Sequence, residues 1–155
     1  MAESGFSEVD EAQMHRALAL AARAGAHGDV PIGAVVARGD DVLGVGGNER
    51  ELRRDPTAHA EVLAMREAAS ALGGWRLPET TIYVTLEPCA MCAGAIALAR
   101  VPRLVFAAGD PKSGAVGGVI DLFAEPVVNH RPAVESGLLA ERSARLLEDF
   151  FAARR

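Results

Sequence analysis

Thr81-Ile82-Tyr83-Val84-Thr85-Leu86 runs directly into Glu87-Pro88-Cys89-Ala90-Met91-Cys92, and Arg103-Leu104-Val105-Phe106-Ala107-Ala108 follows soon after. The first six residues are β-branched or aromatic for the most part, which reads as a strand. From Cys89 to about Ala99 nearly every residue is apolar or small, which predicts a helix buried on most sides, with Met91 in the core. Arg103 to Ala108 reads as a further strand. Strand, helix and strand over so short an interval imply a parallel crossover, and so an α/β fold.

The same stretch holds the only two cysteines in the chain. Their spacing puts both sulfurs on one side of a first helical turn, close enough to grip one ion. A helix N-terminus lowers a thiol's pKa, which biases Cys89 toward the thiolate. Alone, such a pair is ambiguous between metal and redox chemistry. It has to be read with Thr57-Ala58-His59-Ala60-Glu61. Two thiolates and the His59 imidazole make three ligands, the number catalytic zinc takes while leaving its fourth position to water. Glu61 lies two residues beyond His59, about 200° further around a helix. Both can address one ion only if it sits over the helix end. Asp55-Pro56-Thr57 reads as such a start, with Asp or Thr as cap. The expected picture is two helix N-termini pointing at one zinc.

His-Ala-Glu followed by Pro-Cys-x-x-Cys resembles the zinc-dependent nucleobase deaminases. More closely, Asp55 to Glu61 and Thr85-Leu86-Glu87-Pro88-Cys89-Ala90-Met91-Cys92-Ala93-Gly94-Ala95 resemble the tRNA-specific adenosine deaminases, a likeness running from about Met14 to Phe151. The resemblance implies one deaminase domain over residues 1–155, built as a three-layer α/β/α cytidine deaminase-like fold with a central mixed sheet and helices on both faces. It implies one zinc per chain on His59, Cys89 and Cys92, with Glu61 as the catalytic proton shuttle. It further implies a homodimer, a tRNA anticodon loop as substrate, and substrate contacts at Val30, Asn48, Ala60, Asp110, Phe151 and Arg154. By itself Asn48 also reads as a turn residue, and the loop carrying Asp110 as a flexible glycine loop.

Elsewhere the pattern predicts a helix over residues 7–26, opened by a Ser7/Asp10 capping box, with Met14, Ala17, Leu18, Ala21 and Gly25 on its inner face. Val30 to Ala37 reads as a buried strand, and Val42 to Gly46 as its hairpin partner. Glu51 to Arg54 reads as irregular. A helix from about Ala58 to Leu72 is expected to bury Ala58, Val62, Met65, Ala69 and Leu72, and to stop at Gly73-Gly74. A last helix spans about Leu138 to Ala153, with Leu139, Leu146, Leu147, Phe150 and Phe151 on its apolar side. His15 and His27 lack ligand-spaced neighbours. His130 reads equally as a support of the site or as a surface histidine.

Composition sets the outer bounds. The chain has 155 residues, half of them hydrophobic, and a net charge of −5 from 16 basic and 21 acidic residues. No apolar run is long enough to span a bilayer, and the acidic start Met1 to Glu8 is unlike a signal peptide, so a cytoplasmic protein is expected. The negative charge weighs mildly against RNA binding but does not decide it, since an acidic protein can carry a local basic patch. Lys112-Ser113 in a glycine loop does not follow the order of a phosphate-binding loop, so no nucleotide cofactor is expected. The serious rival is a deaminase of free guanine or cytosine, or of a nucleoside, which would share the zinc centre. A thioredoxin-like oxidoreductase would need neither His59 nor Glu61. A non-catalytic zinc module would need a fourth ligand.

Overall fold

The computed structural model describes residues 5–154; the acidic Met1–Ser4 and the terminal Arg155 lie outside the described residues. Five strands form one mixed sheet in the order β2-β1-β3-β4-β5. They are β1 Gly33–Arg38, β2 Asp41–Gly47, β3 Thr81–Leu86, β4 Arg103–Ala108 and β5 Ala133–Ser136. β1 pairs antiparallel with both β2 and β3, whereas β3, β4 and β5 run parallel. The helices are α1 Glu8–Ala26, α2 Arg50–Arg53, α3 Ala60–Leu72, α4 Ala90–Leu98 and α5 Ala140–Ala152.

Two apolar cores flank the sheet. Val35, Ala37, Tyr83, Val105 and Ala107 face Met14, Ala17 and Leu18 of α1, together with Leu138 and the partly buried Leu146 of α5. Ala34, Val36, Ile82, Val84, Leu104 and Phe106 face Ala64, Met65 and Ala68 of α3 and Ala93 and Ile96 of α4. The molecule is therefore a three-layer α/β/α sandwich, as the crossover and the family likeness imply. On the α1 side, buried Asp10 accepts from Tyr83 Oη at 2.7 Å and from Nη1 and Nη2 of Arg103 at 2.7 and 3.0 Å. Arg103 also donates to Glu135 at 2.9 Å, tying β5 into the network.

Several local expectations are corrected. The first strand begins at Gly33 because Val30-Pro31-Ile32 closes a tight turn, Ile32 N donating to Val30 O, and Pro31 has no N–H to offer a ladder. Glu51 to Arg53 are helical, because buried Asp29 accepts from the N–H groups of Glu51 and Leu52 at 2.7 and 3.2 Å. α3 buries Ala60, Glu61, Ala64, Met65 and Ala68, while Val62, Ala69 and Leu72 are only half-buried. The cause is β2: a Cβ on Gly44 would stand 2.1 Å from Ala64 O, and one on Gly46 2.4 Å from Ala60 O. Helix and strand meet backbone to backbone, so the face of α3 carrying the smallest side chains goes inward. α4 is less covered than expected, with Met91 37% and Leu98 70% exposed. β5 has mostly exposed side chains and no apolar alternation, which left it silent in the sequence.

Candidate active site

His59 and Cys89 occupy equivalent places, each the N-cap of its helix in extended conformation. The expected caps of α3 do something else: Asp55 accepts from the N–H and hydroxyl of Thr57 at 2.8 and 2.7 Å, forming its own turn. Neither His59 nor Cys89 uses its side chain to cap a helix, so both are free to face outward over the helix ends. β3 delivers Cys89 through the short link Glu87-Pro88, and the first turn of α4 adds Cys92.

His59 Nδ1 lies 3.6 Å from Cys89 Sγ and 3.4 Å from Cys92 Sγ, and the three donors fall within 4.8 Å of one another. Bond lengths of about 2.3 Å to sulfur and 2.0–2.1 Å to nitrogen, at tetrahedral angles, require S···N edges of about 3.6 Å. The donor triangle thus has the dimensions that hold a tetrahedral metal ion. The Cys89 thiol is pulled down to about 4, first by its hydrogen bond from Cys92 and then by that from His59. Cys92 is pushed up, first by its hydrogen bond to Cys89 and then by burial, and His59 is raised chiefly by its hydrogen bond to Cys89.

Glu61 is 4% exposed in the first turn of α3. Burial pushes its carboxyl up to about 7, with the charge of Cys89 adding to the effect. A carboxyl titrating near neutrality, beside a metal-sized triangle of donors, can both take and give a proton.

The other expected residues fall in two groups. Asn48, also 4% exposed, donates from Nδ2 to Val30 O at 3.2 Å and accepts from Arg50 N at 3.3 Å. It therefore performs the turn role and keeps one N–H and one lone pair in reserve. Ala60 is fully buried at the start of α3. The end of α5 lies alongside this region, since a Cβ on Gly25 would touch both Pro31 and Phe150. Phe151 is 46% exposed and packs edge-on to Phe150 at 5.4 Å, while the Arg154 guanidinium sits 3.4 Å over the Phe150 ring. Asp110 belongs to the loop after β4, where its carboxylate accepts from Lys112 N, Ser113 N and Ser113 Oγ. His130 is turned to the Val101 carbonyl, 2.7 Å away.

Two acids that sequence reasoning did not single out hold these segments. Asp29 organises the turn into α2, and Glu87 gathers the loop that carries Asp110. Taken by itself each is an acid next to a proline or glycine, which is too common to act on, and the string Thr85 to Ala95 that resembles the family assigns Glu87 no role.

The pattern of the MafB19-like deaminase family matches residues 8–155. A tRNA-specific adenosine deaminase of Haemophilus influenzae is 47% identical over 152 residues, covering 96% of this chain and 87% of that one. A solved structure from work on A-to-I editing by tRNA:A34 deaminases at the wobble position of transfer RNA superposes with a TM-score of 0.86 at 46% identity, covering 88% of this chain and 99% of that one. A guanine deaminase of Nitrosomonas europaea is more distant, with a TM-score of 0.74 at 27% identity over 92% of this chain and 84% of that one. The chain belongs to the MafB19-like deaminase family and, by its relatives, to the tRNA-specific adenosine deaminases.

Proposed function

We propose that the protein hydrolyses adenosine to inosine at the wobble position of a tRNA anticodon loop, releasing ammonia. The observation that carries the reading is the meeting of His59, Cys89 and Cys92 beside buried Glu61, in a chain of this ancestry. Two sulfurs and one imidazole suit zinc, and three protein ligands are the catalytic number. Bound there, one zinc per chain supplies activation of a water for attack on C6 of adenine.

The remaining work belongs to side chains. His59 and the two cysteines hold the ion at the paired helix ends. An amide anion cannot leave, so a proton must travel from the attacking water to ring N1 and on to the departing nitrogen. Glu61 is the carrier, because its carboxyl is buried and pushed up to about 7. Val30, Asn48, Ala60, Asp110, Phe151 and Arg154 are the substrate-side residues. A base in an anticodon loop is already unpaired, so extruding it into a closed pocket costs least.

We infer a homodimer as well. The outward side of α4 exposes Met91 and Leu98, an apolar surface that a second copy would cover. A cytoplasmic location accords with a tRNA substrate, and among the described residues no helix is long and apolar enough to cross a membrane.

The test compares inosine formation in an arginine tRNA bearing adenosine at the wobble position with ammonia release from free guanine, cytosine and adenosine. Inosine in the tRNA, with the free compounds untouched, is expected. Rapid free-base turnover with an unmodified tRNA would transfer the assignment to the metabolic deaminases.

A further inference from the structure

We propose that Glu87 is a positioning residue whose carboxylate clamps the loop of residues 109–118 onto the end of β3 and sets where Asp110 stands beside the substrate. The part concerning substrate rests on the function proposed above; the clamp itself does not.

Glu87 is 4% exposed and makes no ion pair among the described residues. Its partners are backbone groups of a single loop. Asp110 N donates to Oε1 at 2.9 Å, and Val116 N and Gly118 N donate to Oε2 at 2.9 and 2.8 Å. Two further bonds run alongside, from Glu87 N to Ala108 O at 2.8 Å and from Ala115 N to Pro88 O at 2.9 Å. A buried carboxylate needs several donors, and three converging N–H groups form an anion-binding concavity. Here the anion is part of the chain itself.

The loop is cut to fit that anion. A Cβ on Gly114 would lie 2.3 Å from Glu87 Cδ, and one on Gly118 would lie 2.6 Å from Oε1. Any side chain at either place would expel the carboxylate. Two glycines of this loop therefore have a steric reason, beyond flexibility. Gln at position 87 would keep the shape but set an NH₂ group against N–H donors, losing the charge-assisted bonds.

Glu87 lies two residues before Cys89, so one short segment carries both cysteines of the donor triangle and the anchor of the substrate loop. The first donor is the backbone N–H of Asp110 itself, which makes the register of that residue a direct consequence of the clamp.

The experiment uses the full chain loaded with zinc and an anticodon stem-loop RNA with adenosine at the wobble position. For Glu87→Gln we expect wild-type zinc content and amide hydrogen exchange about tenfold faster across residues 110–118, with α3 and α4 unchanged. KM for the stem-loop should rise about tenfold while kcat stays within about twofold. Gly114→Ala, which keeps the carboxylate but fills its space, should reproduce the pattern, and the double variant should be no worse than either single one. If Glu87→Gln does not fold, Gly114→Ala carries the test. Unchanged exchange at 110–118 overturns the proposal, as does zinc loss with exchange spreading through α4, or a fall in kcat alone. If the wild type makes no inosine, the proposed function fails, while the exchange measurement still decides the clamp.

Discussion

Glu61 and Glu87 have the same side chain and the same 4% exposure, and each lies two residues from a metal-ligand candidate. They differ in their company. Glu87 is met by three backbone N–H groups drawn from one loop. Glu61 has only its own backbone N–H and the Cys92 thiol as hydrogen-bond partners, and burial outweighs them, pushing its carboxyl up to about 7. Burial alone therefore does not decide what an acid does. At Glu87 the donors of one loop make the side chain an anchor, whereas at Glu61 burial outweighs the hydrogen bonds and the proton is held more tightly.

The contrast is broken most severely at the metal triangle. Cys89→Ala should abolish stoichiometric zinc and, with it, activity; elemental analysis showing full metal content in that variant would remove Cys89 from the ligand set. Glu61→Gln should come next, retaining zinc and fold while kcat falls by roughly 10²–10⁴-fold. Single-turnover kinetics on a stem-loop RNA measures this directly, and near-normal turnover would mean the proton travels by another route.

A third buried acid sharpens the comparison. Asp10 is held well below the usual carboxylate range, chiefly by its hydrogen bonds from Arg103. Its folded pKa is lowered, so its stabilisation is complete above the unfolded value of about 4 and fades as pH falls below it. Asp10→Asn should cost about 2–3 kcal/mol at pH 7 by denaturant unfolding. The gap from wild type should close toward pH 2, and a gap independent of pH would show that packing rather than charge is lost.

The smallest effect is expected at the exposed end of α5. Arg154→Ala should weaken stem-loop binding slightly and reduce the slope of log affinity against log salt by about 1. An unchanged slope would place the end of α5 outside the RNA contact. Arg155, for which a phosphate contact is also expected, lies outside the described residues.

Glu61 was legible in the sequence, and Glu87 as an anchor was not, for a physical reason. The chemistry of the first is concentrated in short local strings, His59-Ala60-Glu61 and Cys89 to Cys92, whose residue types announce a metal. The partners of Glu87 are backbone N–H groups 23 to 31 residues later, and every residue except proline has one. Asp29 is hidden in the same way, since it serves N–H groups 22 and 23 residues away. β3 was readable from its β-branched and aromatic residues, β1 and β4 from their short apolar runs, and β2 from the Gly39-Asp40 turn that returns the chain beside β1. The inward face of α3 was misread because hydrophobicity favours Val62 and Leu72, whereas the bare glycines of β2 reward the smallest side chains.

That contact between α3 and β2 bears on how the protein could be re-engineered. Gly44 and Gly46 set the depth at which α3 rests on the sheet, and His59 caps the helix resting there. Alanine at either glycine would lift the helix and carry the histidine outward with it, shifting one corner of the donor triangle relative to the two sulfurs. Random libraries that include these positions would yield inactive clones with no altered residue near the chemistry, readily misjudged as expression failures. Libraries that freeze them could vary the half-buried outer side of α3 widely, with the histidine staying in place.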